Sequence, residues 1–319
     1  MPTSSAQTTT SHSPQSPPKK PKPFLKWVGG KRQLIPQIET LLPPKLKNGS
    51  IKRFVEPFVG GGALFFHLNQ TTNIHQFILC DRNQDIILTY QIVKENVHQL
   101  IDFLADIQQN YYQLNEQQRK NFFYETRRQF NQTKQTITAL TTNKTTTLNT
   151  ARLIFLNRTC FNGLYRVNAK GGFNVPFGRY KKPKICDQDN LLAVSRALAS
   201  AKILHGDYTL CQDFIGKQTF VYFDPPYRPL NKTSNFNTYA KKGFDDNEQI
   251  RLATFFRNMA KTNAKLMLSN SDPHNINPDD NFFQTLYAGF NIYKLSANRM
   301  INSNSKKRGK LSELLITNY

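Results

Sequence analysis

Residues 220–227 read Phe-Val-Tyr-Phe-Asp-Pro-Pro-Tyr, an apolar run that breaks into an acid, two prolines and an aromatic ring. A short run of β-branched and aromatic residues is typical of a buried strand in a parallel sheet. Proline has no N–H to donate, so strand pairing should stop near Asp224. Open α/β sheets carry their sites at strand ends, which makes Asp224 and Tyr227 candidate site residues. An ordinary turn after a strand is the alternative, since Asp-Pro often opens turns.

A glycine loop and a second acid precede this stretch in the chain. Residues 54–62 read Phe-Val-Glu-Pro-Phe-Val-Gly-Gly-Gly, which predicts a short strand and a bend before an amphipathic helix. Adjacent glycines let the backbone approach a ligand and expose its N–H groups. The next predicted strand, residues 77–80, ends in Asp81, where a nucleotide-binding sheet offers a carboxylate to ribose hydroxyls. Because the glycines do not follow G-x-G-x-x-G, the pattern favours a nucleoside without a pyrophosphate over NAD.

The only tryptophan, Trp27, stands just before Gly29-Gly30-Lys31 and an apolar helical pattern. A Gly-Gly-Lys turn into a helix indicates an anion site. It is not a Walker A loop, because the spacer and the Ser/Thr after the lysine are missing. A plain helix-opening turn is the alternative.

Strands and helices alternate again after a helix near residues 191–198. Strands are expected at residues 201–204, 220–223, 265–268, 290–295 and 314–317, which with those at 54–56 and 77–80 would form one α/β sheet. Apolar side chains in residues 84–130 show helical spacing. The Thr/Asn-rich residues 135–150 are interpreted as an exposed loop before a helix at 151–158. Segments 228–243 and 302–310 are interpreted as a lid and a phosphate-contacting loop, or as solvated surface loops.

The chain is strongly basic, with 43 Lys and Arg against 21 Asp and Glu and a formal net charge of +22. Such an imbalance favours a polyanionic partner, and nucleic acid is the first candidate. Residues 160–182 alternate turn residues, apolar side chains and donors, as expected of a hairpin or loop that inserts into DNA. A generally basic protein without such a partner is the alternative.

The cysteines, Cys80, Cys160, Cys186 and Cys211, lie far apart and form no C-x-x-C pair. Neither a zinc site nor a disulfide framework is therefore expected, and a reducing cytoplasm fits. No stretch has the length of an apolar membrane span, and the N-terminus lacks the apolar core of a signal peptide. The Ser/Thr/Pro/Gln-rich residues 1–22 are predicted to be a disordered tail.

Several motifs, taken together and in order, resemble the Dam family of DNA adenine N6-methyltransferases, which includes the modifying enzymes of GATC-specific restriction systems. The similarity runs from about residue 23 to residue 319. The motifs that carry it are Phe24-Leu25-Lys26-Trp27-x-Gly29-Gly30-Lys31, Phe54-Val55-Glu56-Pro57-Phe58-Val59-Gly60-Gly61-Gly62, Asn162-Gly163-Leu164-Tyr165-Arg166-x-Asn168, Phe173-Asn174-Val175-Pro176-Phe177-Gly178-Arg179-Tyr180 and Asp224-Pro225-Pro226-Tyr227.

The resemblance implies a Rossmann-like methyltransferase sheet with a mostly helical target-recognition insertion. Residues 23–94 and 188–319 would form a catalytic domain that binds S-adenosyl-L-methionine, and residues 95–187 a DNA target-recognition domain. The enzyme would be a monomer of the bacterial cytoplasm and nucleoid that acts on double-stranded DNA. It would protect that DNA from a cognate restriction endonuclease without forming a stable complex with it.

For the cofactor, the resemblance implies contacts from Trp27, Lys31, Glu56, Phe58, Gly60, Asp81, Asp207, Tyr208 and Asp224. A sulfonium cation with a zwitterionic tail and an adenosine needs an aromatic face, a cation for its carboxylate and an acid for its ribose. At Asp207 and Tyr208 a plain turn is the alternative.

For catalysis, the resemblance implies that the Asp224 carboxylate and the Pro225 carbonyl accept the two N6 hydrogens of adenine. Pro226 would set the bend, and Tyr227 would stack on the target base, which must be flipped out of the duplex. Alignment for in-line displacement supplies much of the acceleration, so no metal is expected.

For recognition, the resemblance implies DNA contacts from Lys26, Asn162, Leu164, Arg166, Asn168 and Pro176. Arg166 would read a guanine with its bidentate fork, and Lys26 would contact the outer guanine of the site. Leu164 and Pro176 would wedge against base pairs. The target implied by the family is GATC.

Two other functions fit part of the sequence. An amine methyltransferase acting on N4 of cytosine or on RNA would use nearly the same chemistry, although Asp224 in place of serine and the recognition segment favour duplex adenine. A non-catalytic nucleic-acid-binding protein would fit the charge alone, but the intact residues 224–227 argue against it.

Overall fold

The computed structural model of the chain describes residues 19–27, 29–229, 244–298 and 310–319. Most of the predicted disordered tail lies outside the described residues. So do most of the two segments that the sequence predicts to be polar loops, 228–243 and 302–310.

The centre of the fold is a seven-stranded sheet in the order β3-β2-β1-β4-β5-β7-β6. Its strands are β1 (Arg53–Glu56), β2 (Gln76–Asp81), β3 (Ala201–His205), β4 (Thr219–Phe223), β5 (Lys265–Ser271), β6 (Asn291–Asn298) and β7 (Lys310–Thr317). Strands β1 to β5 are parallel, and β7 runs antiparallel between β5 and β6. The α/β fold and all seven predicted strands are confirmed.

The helices are α1 (Ile35–Thr40), α2 (Pro44–Lys47), α3 (Ala63–Thr71), α4 (Gln84–Glu95), α5 (Val97–Gln113), α6 (Glu116–Thr136), α7 (Lys144–Thr159), α8 (Gln188–Leu198), α9 (Asp246–Ala260) and α10 (Phe282–Leu286). Short 3₁₀ turns include Lys31–Gln33 and Tyr208–Phe214. The helical spacing predicted over residues 84–130 corresponds to α4, α5 and most of α6.

Strand β4 is buried at every position and divides two hydrophobic cores. Its alternating side chains point to opposite faces: Phe220 and Tyr222 join one cluster, and Val221 and Phe223 join the other. This is why the run is continuously apolar, since a central parallel strand is covered on both sides. Helices of the insertion share the first cluster with β4, because Leu100 and Phe155 belong to it. The boundaries proposed for a separate recognition domain stay a prediction.

The prediction of an exposed loop over residues 135–150 is confirmed for residues 137–143, which form neither helix nor strand, but it is wrong from Lys144 onward, because α7 begins there. Asn143 caps it: its Oδ1 accepts the Thr146 N–H at 3.0 Å, and Thr146 Oγ1 accepts the Asn143 N–H at 2.9 Å. Thr147 is fully buried, and its hydroxyl donates to the Asn143 carbonyl at 2.8 Å. The polar composition of this segment does not require exposure to solvent, because the threonine hydroxyls donate hydrogen bonds to backbone carbonyls. They can therefore be buried without leaving a polar group unpaired.

Two expectations about composition can be compared with the described part of the chain. No helix there is long and apolar enough to cross a membrane. Nor do the same residues contain a cluster of three or more His, Cys, Asp or Glu side chains suited to a metal ion. All four cysteines are free thiols.

Candidate active site

The carboxyl ends of neighbouring parallel strands bring several predicted site residues to one edge of the sheet. Glu56 ends β1, Asp81 ends β2, and Asp224 directly follows β4. Since β1 pairs with both β2 and β4, these three acids lie at the ends of neighbouring strands. This edge is where ligands bind in open α/β sheets.

Asp224 forms an ion pair with Lys31 across the chain. Lys31 Nζ lies 3.0 Å from Asp224 Oδ1, and Lys31 is only 5% exposed. The same ammonium donates to the Gly29 carbonyl at 2.9 Å, and Gly29 takes a φ of +78° that favours glycine. The Gly-Gly-Lys turn therefore places the buried Lys31 ammonium beside the Asp224 carboxylate. The sequence predicted a cation here but not this partner.

The surroundings of the Asp224 carboxyl raise its pKa above the usual range of an aspartate. Burial raises its pKa to about 6, although the Lys31 ammonium acts in the opposite direction. The negative charge of Glu313 adds to the rise. At neutral pH the group is therefore mostly an anion that can accept hydrogen bonds.

Tyr227 is held by a residue that sequence reasoning missed, Glu313 of β7. The Tyr227 hydroxyl donates to Glu313 Oε2 at 2.6 Å, and Lys31 Nζ lies 3.8 Å from the same oxygen. Lys31 Nζ also lies 4.3 Å from the centroid of the Tyr227 ring. The available signal was a single acid within the apolar run of β7, whose antiparallel direction brings its N-terminal half to the carboxyl end of β5.

The bend after Asp224 is fixed by two buried amides, Gln249 and Asn270, each with 0% exposure. Gln249 Nε2 donates to the Pro226 carbonyl at 3.1 Å, and Asn270 Oδ1 accepts the Arg228 N–H at 3.1 Å. The two amides are joined by a bond from Asn270 Nδ2 to Gln249 Oε1 at 3.1 Å. The backbone of residues 226–228 is therefore clamped from α9 and β5.

The glycine loop packs against Trp27. A Cβ on Gly60 would lie 2.9 Å from the Trp27 ring, so only glycine fits there. The Gly60 N–H donates to Asp81 Oδ2 at 3.0 Å, and the Gly62 N–H donates to the Val59 carbonyl at 2.6 Å. The prediction that this loop exposes its N–H groups is wrong for these two glycines, because their donors are used inside the loop.

Glu56 is a buried acid with an unpaired oxygen. It is 2% exposed, and its Oε2 has no hydrogen-bond partner among the residues that the structure describes. Burial raises its pKa well above the usual value, and the charge of Asp224 raises it further. A buried carboxyl oxygen without a partner is costly, even though the same group accepts a backbone hydrogen bond from Phe65. Such an oxygen can accept a hydrogen bond from a cationic group of a ligand.

Asp207 and Tyr208 form a separate cluster at the end of β3. Asp207 begins the 3₁₀ turn Tyr208–Phe214 and pairs with Arg251 at 2.7 Å. Although burial raises the pKa of Asp207, hydrogen bonds from Arg251 and Thr209 hold it at about 2. Tyr208 is buried, and its ring lies 5.4 Å from that of Phe58. Asp207 is thus a turn-forming residue, as its bond from the Thr209 N–H shows.

The predicted recognition segment is an irregular hairpin, as expected. Its bridges join Cys160 to Phe177 and Val167 to Phe173. Asn168 Oδ1 accepts the N–H groups of residues 170 and 172, both at 3.0 Å, and so closes the turn. Arg166 is exposed, and its Nε donates to Asn174 Oδ1 at 2.7 Å, which orients the guanidinium.

Lys26 and the start of the hairpin are tied together by Asn157, another residue that sequence reasoning missed. Asn157 Oδ1 accepts the Lys26 N–H at 2.8 Å, and its Nδ2 donates to the carbonyls of Lys26 and Gly163 at 2.9 and 3.1 Å. Beside them Asn162 and Pro176 are exposed, and Phe161 is 52% exposed. These residues form an exposed tip of mixed apolar and polar side chains, with Leu164 half-buried behind it.

The hairpin also docks onto the cofactor half. The Tyr165 hydroxyl donates to Asp85 of α4, and Lys134 of α6 lies 2.7 Å from the same carboxylate. The ring of Tyr165 lies 5.2 Å from that of Trp27. The elements proposed for DNA and for the cofactor are therefore in direct contact.

A family model described as D12 class N6 adenine-specific DNA methyltransferase matches residues 27–301 of the chain. The matched region includes the glycine loop, the insertion and the clamped bend at residues 224–227.

Relatives that match this chain nearly end to end include the following three. Type II methyltransferase M.MjaIII of Methanocaldococcus jannaschii is 50% identical over 299 residues, which cover 93% of this chain and 99% of that protein. Type II methyltransferase M1.LlaDCHI of Lactococcus lactis subsp. cremoris is 37% identical over 300 residues, 93% of this chain and 95% of that protein. A DNA adenine methylase of Vibrio cholerae is 33% identical over 298 residues, 93% of this chain and 96% of that protein.

Proposed function

The chain belongs to the family of D12 class N6 adenine-specific DNA methyltransferases, and we propose that it methylates the adenine of GATC in double-stranded DNA. S-adenosyl-L-methionine is the proposed methyl donor. The observation that carries the proposal is the Asp224 carboxyl beside Tyr227, at the end of a buried strand and before a clamped backbone bend. GATC is supported by the resemblance of the recognition segment to the Dam family.

The proposed chemistry follows from the weakness of the nucleophile. The lone pair of an exocyclic amine is delocalised into the purine ring. The Asp224 carboxylate and the Pro225 carbonyl would accept hydrogen bonds from its two N–H groups and so localise the lone pair on nitrogen. As the methyl–nitrogen bond forms, the methyl–sulfur bond would break to leave a neutral thioether, and the nitrogen would lose one of its two protons. This needs an ionised Asp224 and a fixed Pro225 carbonyl, which the pKa of about 6 and the clamp on residues 226–228 support. Orientation of this kind is a large part of catalysis.

The donor would be held by the residues around the glycine loop. Glu56 with its unpaired oxygen, the Trp27 ring and Asp81 would take its ammonium, its cationic sulfur and its ribose, respectively. Lys31, Phe58, Gly60, Asp207, Tyr208 and Asp224 are the further proposed contacts. When bound, the donor supplies a methyl group made electrophilic by the sulfonium.

A base stacked within a duplex cannot reach Asp224, so the target adenine must be flipped out. We propose that Tyr227 stacks on the extruded base and that the hairpin tip, with Asn162, Leu164 and Pro176, fills space beside the remaining pairs. Arg166, which Asn174 orients, is the proposed guanine reader. The net charge of +22 supplies the general attraction to DNA.

Relatives named type II methyltransferases support a role beside a restriction endonuclease. In that role the chain would modify sites in host DNA that the endonuclease would otherwise cut. We propose that it acts as a monomer, without a stable complex with the endonuclease.

The proposal is tested by incubating the purified chain and tritium-labelled donor with duplexes that differ only in one GATC site. Label should appear on N6 of adenine in the GATC duplex alone. Asp224→Ala should abolish labelling but leave specific binding in a gel-shift assay largely intact, because it removes an acceptor and not the recognition surface. Label on cytosine or on RNA would favour the other amine methyltransferase, and binding without label would favour a non-catalytic protein.

The same question can be asked in cells. Expression in a host that lacks adenine methylation, followed by single-molecule sequencing, reports the base, strand and sequence context together. Methylation outside GATC would keep the reaction class but contradict the proposed target.

A further inference from the structure

We propose that Glu313 is a positioning residue for methyl transfer, which fixes the Tyr227 ring through its hydroxyl and shares the Lys31 ammonium with Asp224. The inference rests on the proposed function, since it assumes that Asp224 and Tyr227 act on the target adenine. Glu313 belongs to β7, far from both residues in the chain.

The sheet order brings Glu313 to this place. Strand β7 runs antiparallel to β5, and Glu313 pairs with Ser271 at the carboxyl end of β5. The residues that follow it in β7, Leu314, Leu315 and Ile316, are each 0% exposed. The Glu313 side chain is 24% exposed. An unpaired acid at the start of a buried apolar run would lower the stability of the fold. The contacts of the Glu313 side chain therefore have to account for its presence there.

The first partner of the Glu313 carboxylate is the hydroxyl of Tyr227. A phenol that donates to a carboxylate makes a short, charge-assisted hydrogen bond, and the observed distance of 2.6 Å is of that kind. The bond fixes the position of the hydroxyl and hence the plane of the ring. A ring that stacks on an extruded base must hold one plane, because a tilted ring would move the amine away from Asp224.

The second partner of the Glu313 carboxylate is the Lys31 ammonium, which also pairs with Asp224. Lys31 Nζ lies 3.0 Å from Asp224 and 3.8 Å from Glu313, while one of its hydrogens goes to the Gly29 carbonyl. An ammonium shared between two carboxylates neutralises neither fully. Asp224 therefore keeps more of its capacity to accept hydrogen bonds from the amine than it would in an exclusive pair.

The charge of Glu313 also acts directly on Asp224, whose pKa it raises. The other groups that interact electrostatically with Asp224 come from three elements: Lys31 of the 3₁₀ turn, Glu56 of β1, and Tyr222 and Tyr227 of its own segment. Replacing Glu313 by a neutral residue should lower the pKa of Asp224, because a repulsive charge is removed and Lys31 is left to Asp224 alone.

The test compares Glu313→Gln, Glu313→Ala, Tyr227→Phe and the double variant Tyr227→Phe/Glu313→Ala on a GATC duplex. We expect Glu313→Ala and Tyr227→Phe each to lower kcat by about ten- to a hundredfold, as for loss of a hydrogen bond to a charged group. In the double variant the losses should not multiply, because both single changes remove the same bond. Independent, multiplying effects would overturn the role of Glu313 in holding the ring.

The nearly isosteric Glu313→Gln separates charge from shape and does not depend on whether the alanine variant folds. It should shift the acid limb of the kcat/KM profile to lower pH, which a purely structural role would not do. Asp279→Asn, an equal charge change at an exposed position, is the matched control and should leave the profile unchanged. A Glu313→Gln enzyme with the wild-type kcat and acid limb would overturn the inference while leaving the proposed function standing. A wild-type chain that does not methylate adenine would overturn both.

Discussion

At the scale of single residues, the pKa of the Asp224 carboxyl is set by opposing effects of its surroundings. Burial and the charge of Glu313 raise its pKa, while Lys31 lowers it, with a result of about 6. A carboxylate that stays charged at neutral pH can accept the amine hydrogens, but one with this pKa loses that ability in mild acid. The balance depends on three residues that are distant in the chain.

We therefore predict that kcat/KM falls as the pH drops through about 6. The sign follows from the role of the group: protonation converts Asp224 from an acceptor into a donor, so activity is retained above this pKa and lost below it. Because kcat/KM reports groups of the free enzyme, initial rates at low DNA concentration are the right measurement. DNA binding, measured in parallel by fluorescence anisotropy, is the control. A flat profile down to pH 4 would show that Asp224 does not need to be ionised.

At the scale of elements, the clamp on residues 226–228 joins a helix and a strand. Gln249 of α9 and Asn270 of β5 are buried, bond to each other, and together hold the backbone of Pro226 and Arg228. The bend that aims the Pro225 carbonyl is therefore set by tertiary contacts as well as by proline itself.

We predict that Gln249→Leu lowers the free energy of unfolding by about 1–3 kcal/mol, since it leaves the Pro226 carbonyl and the Asn270 amide unpaired. It should also lower kcat, because the Pro225 carbonyl is less firmly aimed. Urea denaturation followed by circular dichroism, with initial rates, would measure both. Asn247→Ala, at an exposed position of the same helix, is the control. Loss of stability with an unchanged kcat would show that the clamp only supports the fold.

A second prediction at this scale concerns the start of α7. Asn143→Ala removes the cap of the helix and should lower the free energy of unfolding by about 1 kcal/mol. Denaturant melts compared with Thr145→Ala, an exposed site in the first turn of the same helix, would measure it. Equal stability of the two variants would mean that the reciprocal bonds between Asn143 and Thr146 contribute nothing.

At the scale of the whole molecule, the net charge of +22 and the contact between the hairpin and the cofactor half act together. Positive charge attracts any duplex, whereas the recognition proposed for the hairpin and Tyr227 is specific to one site. We predict that affinity for duplexes without GATC falls by orders of magnitude between about 50 and about 200 mM salt, as counterion release requires. Affinity for a GATC duplex should be higher than this at every salt concentration, because base contacts add a favourable contribution that does not depend on counterion release. Anisotropy titrations over this range would measure both slopes, and equal slopes with equal affinities would contradict sequence-specific recognition.

The sequence by itself was sufficient for features that depend on neighbours along the chain. Each of the seven strands could be predicted from a short apolar or alternating run and the turn residues that bound it. Residues 224–227 likewise indicate their own strand end and bend. The Thr/Asn-rich start of α7 could not be predicted in this way, since its buried hydroxyls are satisfied by the helix that they help to form.

What only the tertiary structure decided is which groups meet at those strand ends. Lys31, Asp224 and Glu313 come from the beginning, the middle and the end of the chain. The sequence motifs indicated Lys31 and Asp224 as site residues, but they indicated neither Glu313 nor that one ammonium lies between two carboxylates. That arrangement depends on the order β4-β5-β7 and on the antiparallel direction of β7. The physical reason is that strand propensity and turns are local, whereas electrostatic partners are set by the sheet order that packs the whole core.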